Sequence, residues 1–248
     1  MKNSISISTI LAALVLSFNA SAQLPGAGAQ SGFDAQFLKL FGSNSAFSAK
    51  SDVRIVDKDK KEVAALTMDF VTLDGNVRIE IDMANIKSKD IPPDIIPQMK
   101  TVGMDKIITI TRKDTKTTYF IYPNMKSSAK VPLPKEQADA LTKDPKMEKT
   151  AMGKETVDGH PCEKNKVIFT DDKGQKKETL VWNATDLKDF PVRVETTEQG
   201  NTVQMTFKQI QFAKPDAKLF DLPKGFTEYD TIMALQMAAM QKMLELPK

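Results

Sequence analysis

The sequence contains a single histidine and a single cysteine, His160 and Cys162, which stand two residues apart. In a strand this spacing places both side chains on one face, as a metal site or a nucleophilic Cys/His pair requires. The same residues lie within Val157–Glu163, where Asp-Gly is followed two residues later by proline, a pattern typical of a tight turn. A closed metal site also needs further ligands, and none is apparent in the sequence. We therefore expect a turn, with no metal site and no catalytic residue.

Methionines near the C-terminus are the second group of residues that could do chemistry. Met233, Met237, Met240 and Met243 recur at helical spacing. Thioethers suit cuprous copper, and a soft-metal binder would turn these four side chains toward solvent. Methionine is also an adaptable apolar side chain in cores and binding surfaces, and we favour that interpretation.

Other catalytic signatures do not occur in the sequence. It contains no glycine-rich phosphate loop, no Gly-x-Ser-x-Gly elbow and no Cys-x-x-Cys pair. The paired carboxylates, such as Asp171 with Asp172, fall in turns or on the polar faces of strands. We predict a protein that is not an enzyme and that carries no cofactor.

The first residues have the pattern of a secretory signal peptide. Lys2 precedes an apolar run from Ile10 to Phe18, and Ala20-Ser21-Ala22 then matches the small-x-small pattern of a cleavage site. The apolar run has about half the length that a membrane-spanning helix needs. We expect residues 1–22 to be removed near Ala22 and the product to be periplasmic. Because the first residue after the cut is Gln23 and not a cysteine, we expect no lipid anchor.

Composition limits the classes of partner. With 35 basic and 32 acidic residues the net charge is +3, far from the concentrated basic excess of a nucleic-acid binder, so we expect no nucleic-acid partner. A lone cysteine cannot form an intramolecular disulfide, so the fold has to be stabilised by packing. Nothing in the composition requires more than one domain of ordinary size, and nothing indicates the oligomeric state.

Apolar residues recur with a period of two from about Ala46 onward. The clearest run is Val77–Met83, in which Arg78, Glu80 and Asp82 separate the apolar residues. Alternate residues of a strand point to opposite faces, so this run predicts a strand with one dry and one wet face. The same pattern occurs over Ala64–Phe70 and Val203–Phe207. With turn signals between the runs, we count about eleven antiparallel strands up to Phe212.

Four segments have helical patterns. Residues 23–44 are predicted to form a flexible leader followed by a short helix between Phe33 and Phe41. Short helical turns are expected after Pro93 and over Glu136–Leu141. Residues 230–248 are predicted to form a methionine-rich helix, apolar around most of its girth, which therefore needs a surface to cover. Its first stripe, which we interpret as a lid, consists of Met233, Met237, Met240 and Leu244.

Two segments resemble periplasmic lipoprotein carriers of the Lol type and the uncharacterised secreted domains grouped with them. One is Lys106–Ile110 followed by Thr118–Asn124, which is similar to the paired central strands of that group. The other is Pro215–Phe226, which is similar to its closing segment. The likeness spans residues 45–229, taken as one half-barrel domain. It implies a mainly β fold with a few helices: an antiparallel, unclosed β-barrel of about eleven strands with helices over the concave face.

The resemblance and the strand pattern lead to one main hypothesis and two alternatives. In the main hypothesis, an exported soluble protein binds a lipid, a lipidated protein or another apolar ligand on its concave face, with transient contact to envelope membrane proteins. The first alternative is a non-enzymatic interaction protein of the envelope whose core is filled, and the second is the copper binder. The residues expected to form the apolar ligand site are Leu66, Met68, Phe70, Ile79, Ile81, Met205 and Phe207.

Overall fold

A computed structural model describes residues 27–28, 32–33, 35–88, 91–92, 94–142, 146–170, 174–198 and 200–244. The predicted signal peptide of residues 1–22 lies outside the described residues, as does part of the predicted leader. Among the described residues, no helix is long and apolar enough to cross a bilayer. The predicted divisions at residues 44/45 and 229/230 stay predictions.

The described part of the chain contains fifteen strands and three α-helices. The strands are β1 (Ala27–Gly28), β2 (Gly32–Phe33), β3 (Ala46–Val56), β4 (Glu62–Leu73), β5 (Asn76–Asp82), β6 (Lys87–Ser88), β7 (Lys106–Arg112), β8 (Thr117–Tyr122), β9 (Ser127–Pro132), β10 (Lys146–Val157), β11 (His160–Thr170), β12 (Lys176–Ala184), β13 (Phe190–Glu198), β14 (Asn201–Gln211) and β15 (Thr227–Tyr229). The helices are α1 (Ile95–Val102), α2 (Lys135–Ala140) and α3 (Ile232–Leu244), and 3₁₀ segments cover Ala35–Phe41, Met83–Asn85 and Ala217–Phe220.

Thirteen of these strands form one sheet with the order β10-β11-β12-β13-β14-β3-β4-β5-β7-β8-β9-β15, and β6 lies beside β4. Its end strands β10 and β15 do not pair with each other, so the barrel is unclosed. The neighbours are antiparallel except β15, which runs parallel to β9. This confirms the predicted fold class, a mainly β, antiparallel half-barrel. Two meanders, β3–β9 and β10–β14, are joined where β14 pairs with β3.

Register defines one face of the sheet that carries most of the packing. Residues paired directly across antiparallel strands place their side chains on the same face. Phe70 pairs with Ile79, Ile79 with Thr109, Thr109 with Phe120, and Phe120 with Ala129. These residues therefore mark a continuous surface across five strands, which we call the inner face.

A cluster of phenylalanine rings covers part of the inner face. Phe41, in the 3₁₀ segment Ala35–Phe41, is 3% exposed and lies with its ring centroid 5.9 Å from that of Phe70 and 5.4 Å from that of Phe207. Phe37 contacts the same group. The sequence predicts one short helix here; the structure has a 3₁₀ segment, and Gly42, with φ 55°, follows it in the left-handed conformation.

Helices α1 and α3 cover another part of the inner face. Leu235 and Ala239 of α3 are 0% and 1% exposed and pack in one apolar cluster with Tyr122 and Ala129. Tyr122 lies two residues from Phe120, and so on the same face. Burial raises the pKa of Tyr122 to about 12, as expected for a dry environment. Helix α3, which lies within the segment predicted to be helical, thus packs on the sheet.

The opposite, outer face is covered by the closing segment. Ile108 and Ile110 of β7 form one buried cluster with Ile121 of β8 and with Phe220, and Phe226 packs against its edge. The two segments that carry the resemblance therefore contact each other. After this contact the chain passes the edge of the sheet as β15, which pairs with β9, and continues into α3 on the inner face.

We expect Phe41→Ala to lower the free energy of unfolding by about 3–5 kcal/mol, because it removes a buried ring that touches several other rings. Urea denaturation followed by circular dichroism measures the change. Leu219→Ala is the control, since Leu219 is 41% exposed and its truncation should cost below about 1 kcal/mol. A loss below about 1 kcal/mol for Phe41→Ala would show that the 3₁₀ segment is no part of the stable core.

Candidate functional site

The residues predicted to bind an apolar ligand come together on the inner face of four adjacent strands, β14, β3, β4 and β5. Val53 of β3 pairs with Met205 on one side and with Leu66 on the other, and Phe70 pairs with Ile79. All of them belong to, or pack against, one apolar cluster. Their role in binding stays a prediction. The residues are Leu66, Met68, Phe70, Ile79, Ile81, Met205 and Phe207.

The phenylalanine cluster divides these residues into a covered and an accessible group. The covered group, which is at most 2% exposed, consists of Met68, Phe70, Met205 and Phe207. The accessible group consists of Leu66, Ile79 and Ile81, which are partly exposed at the edge of the cluster. Phe37 and Phe41 therefore leave part of the second group uncovered.

Two further residues, which sequence reasoning missed, continue the accessible group across the sheet. Ile107 of β7 pairs with Ile81, and Phe120 of β8 pairs with Thr109; both Ile107 and Phe120 are partly exposed on the inner face. Their strands are apolar on both sides because the closing segment covers the outer face, so the alternation that marks a dry face is weak there. We call Leu66, Ile79, Ile81, Ile107 and Phe120 the inner apolar strip.

Helix α3 packs through a different stripe from the one predicted as a lid. Its buried side chains are Leu235 and Ala239, whereas Met233 is 69% and Met237 56% exposed. Met240 is partly exposed, and the side chain of Leu244 lies outside the described part of the chain. The two most exposed methionines face solvent, as the soft-metal hypothesis requires. Both the lid and the copper hypothesis stay predictions.

His160 and Cys162 lie at the tight turn that the sequence predicts. Asp158 and Gly159, with φ of 48° and 87°, connect β10 and β11 as a type I′ turn does. The His160 Nδ1 atom lies 2.8 Å from Asp186 Oδ2, and the Cys162 Sγ donates to the His160 carbonyl oxygen at 3.3 Å. Burial raises the pKa of the Cys162 thiol, which disfavours the thiolate that a nucleophile or metal ligand needs.

The rest of the described chain has no metal-ligand geometry either. No group of three or more His, Cys, Asp or Glu side chains there is arranged to hold a metal ion. The contact between His160 and Asp186 instead ties the β10–β11 turn to the loop between β12 and β13.

Trp182 lies in a charged cluster on the sheet. Its indole Nε1 donates to Glu155 Oε2 at 2.7 Å, and Lys164 Nζ lies 2.8 Å from Glu155 Oε1. The Lys164 ammonium is 4.8 Å and the Arg193 guanidinium 5.7 Å from the ring centroid, within the range of cation–π contacts. Because Lys164 and Trp182 both bond to Glu155 and both cations lie over the indole ring, we interpret the cluster as structural.

An open cleft lies at the end of the sheet where β7 begins, and its volume is about 620 Å³. Gly103, with φ 81°, approaches the turn between β8 and β9 so closely that a Cβ atom would lie 2.6 Å from the Asn124 carbonyl carbon. The cleft therefore depends on a glycine at this position. Its lining residues are Lys100, Thr101, Val102, Gly103, Asp105, Asn124, Met125 and Lys242.

The sequence matches one family model, described as Domain of unknown function (DUF4412), over residues 62–190. This span exceeds half of the 248 residues and runs from β4 into the first residue of β13. It contains all five residues of the inner apolar strip, which lie on β4, β5, β7 and β8. No curated protein matches the sequence.

Three solved structures illustrate the likeness in chain path. A LolA superfamily protein from Nitrosomonas europaea has a TM-score of 0.39 and 7% identity, with 76% of this chain and 96% of that chain covered. Lipoprotein LppX of Mycobacterium tuberculosis has a TM-score of 0.39 and 13% identity, covering 83% and 96%. A putative outer membrane lipoprotein-sorting protein domain from Vibrio parahaemolyticus has a TM-score of 0.32 and 10% identity, covering 75% and 94%.

We expect the emission of Trp182, the single tryptophan, to change as Glu155 is protonated. Hydrogen bonds from Lys164 and Trp182 hold the pKa of Glu155 below its ordinary value of 4.5. The ionised carboxylate therefore stabilises the fold above the ordinary pKa, and this contribution is lost as the pH falls through the lower folded value. A fluorescence titration should show a midpoint below 4.5, absent in Glu155→Gln and retained in Glu148→Gln. A step that persists in Glu155→Gln would contradict this assignment.

Proposed function

We propose that this chain, which belongs to the family described as Domain of unknown function (DUF4412), is an exported protein that binds or carries an apolar ligand on its inner face. The ligand is a lipid or the lipid part of an acylated protein. The observation that carries the proposal is the inner apolar strip: partly exposed apolar side chains on one face of four neighbouring strands, with covered residues on both sides. Export is supported by the predicted signal peptide of residues 1–22.

The dimensions and chemistry of the strip suit an acyl chain. It crosses β4, β5, β7 and β8, which are consecutive neighbours in the sheet. Three inter-strand spacings give it a length of about 14 Å. Each CH₂ group that leaves water against it contributes about 0.8 kcal/mol, so an acyl chain gains affinity without any polar contact along the strip. Apolar contact of this kind binds hydrocarbon chains in general and does not select one chain over another.

The residues on either side of the strip explain why it is left partly open. On one side the rings of Phe37 and Phe41 contact phenylalanine rings of β14, β3 and β4. On the other side Leu235 and Ala239 of α3 pack over β8 and β9. Between these two covers, no described element packs over Ile79 and Ile81 to the extent that they become buried.

An interaction protein of the envelope with a filled core is the second candidate function. It is favoured by the phenylalanine cluster, which leaves four of the predicted binding residues at most 2% exposed. Under this alternative the strip is the edge of the core, and the protein takes up no apolar probe. Probe binding therefore separates the two functions.

We expect the double variant Leu66→Gln/Ile81→Gln to bind a fluorescent apolar probe about tenfold more weakly than the unchanged protein, since two apolar contacts are replaced by polar ones. A fluorescence titration with an uncharged, single-chain probe measures the affinity. Met147→Gln is the matched control, because Met147 is 44% exposed on β10, at the end of the sheet far from the strip.

Two results would count against the proposal. Equal binding by the double variant and the unchanged protein would show that the probe binds elsewhere. No binding by the unchanged, folded protein would favour the interaction protein with a filled core.

We further expect Leu235→Ala to increase uptake of the same probe, because it weakens the packing of α3 over Tyr122 and Ala129 and enlarges the accessible part of the inner face. Met233→Ala is the matched control on the same helix, since Met233 is 69% exposed. Uptake is compared at a temperature where circular dichroism shows all variants to be folded. Unchanged or reduced uptake by Leu235→Ala would contradict the role of α3 as a lid.

A further inference from the structure

The cleft of about 620 Å³ is adjacent to the inner apolar strip. Val102 and Met125 line it and belong to the same apolar cluster as α3, and Ile107 packs against that cluster. Ile107 in turn pairs with Ile81 in the middle of the strip. An apolar cluster therefore lies between the cleft and the strip, and its members Val102 and Met125 are 7% and 6% exposed beneath α3.

Charge distinguishes the cleft from the strip. Lys100 and Lys242 line it from the last turns of α1 and α3, and both are exposed. No ion pair joins either lysine to another residue in the part of the chain that the structure describes. The one acidic side chain in the lining, Asp105, accepts a hydrogen bond from Asn124 Nδ2 at 2.9 Å. The lining thus carries two positive charges and one negative charge.

We propose that this cleft holds the anionic head group, a carboxylate or a phosphate, of an amphiphile whose hydrocarbon chain lies on the inner apolar strip. The inference rests on the proposed function and deepens it by naming the class of ligand. The ammonium groups of Lys100 and Lys242, which pair with no acidic side chain among the described residues, supply the counter-charge, and the apolar cluster that Ile107 contacts indicates the direction in which the chain leaves the head group.

A structural role for the same lysines predicts a different result. Cations in the last turn of a helix stabilise it by interacting with the carbonyl end of the helix dipole. In that case Lys100→Gln/Lys242→Gln would lower the melting temperature and leave ligand preference unchanged. A head-group site predicts instead a change in the preference for charged over uncharged ligands.

The test compares two probes that share one fluorescent chain, cis-parinaric acid and its methyl ester, on the full chain as exported. The unchanged protein should bind the acid about tenfold more tightly than the ester, and raised salt should reduce this preference by screening. In Lys100→Gln/Lys242→Gln the affinity for the acid should fall to that for the ester, while the affinity for the ester stays the same.

Two further variants sharpen the result. Lys149→Gln/Lys154→Gln removes the same charge from β10, which lies at the other end of the sheet, and should leave the preference intact. Asp105→Asn keeps a partner for Asn124, removes the negative charge from the cleft, and should tighten acid binding by about threefold. Displacement of the bound acid by lauric acid or by dodecyl phosphate then tells a carboxylate ligand from a phosphate ligand.

The outcomes separate this inference from the proposed function. Equal binding of acid and ester by the unchanged protein, with strip variants still reducing both, would overturn the head-group site and leave the apolar site standing. If Lys149→Gln/Lys154→Gln lost the preference for the acid to the same extent, the head-group site would also be overturned, because the preference would then depend on the net charge of the protein. Binding of neither probe would overturn both.

Discussion

The rest of the structure depends on one constraint: the barrel is not closed, so its apolar inner face has to be covered in another way. The end strands β10 and β15 do not meet, so the inner face has to be covered by other segments of the same chain. Phe41 covers one part by ring contacts, and Leu235 covers another by packing α3 against β8 and β9. Between the two covers, Ile79 and Ile81 remain partly exposed.

The course of the chain around one edge relates the apolar strip to the charged cleft. Phe220 packs on the outer face, β15 extends the edge beside β9, and α3 returns over the inner face. The return brings Lys242 to the end of the sheet where Lys100 already lies. Residues far apart in the sequence thus place an apolar surface near two cationic side chains, the two properties that the proposed amphiphile site requires.

Local patterns predicted the elements well and their arrangement less well. The alternation over Val77–Met83 predicted β5, and Asp158-Gly159 predicted the turn between β10 and β11, because both signals involve neighbouring residues. The pairing of β14 with β3 was not predictable, since no turn connects them. Ile107 and Phe120 were missed because the closing segment covers the outer face of their strands, which makes both faces apolar and weakens the alternation.

By itself the sequence determined that the strands are one-sided, where most turns lie, that the C-terminal helix has to pack on a surface, and that 35 basic and 32 acidic residues leave a net charge of only +3. Only the tertiary structure decided which apolar residues are covered. Phe70 and Ile79 are direct neighbours with the same pattern, yet one is 0% exposed and the other partly accessible. The alternation of residues along a strand determines which of its faces is apolar. The residues that cover this face, such as Phe41 and Leu235, are distant in sequence, so only the tertiary structure shows where they pack.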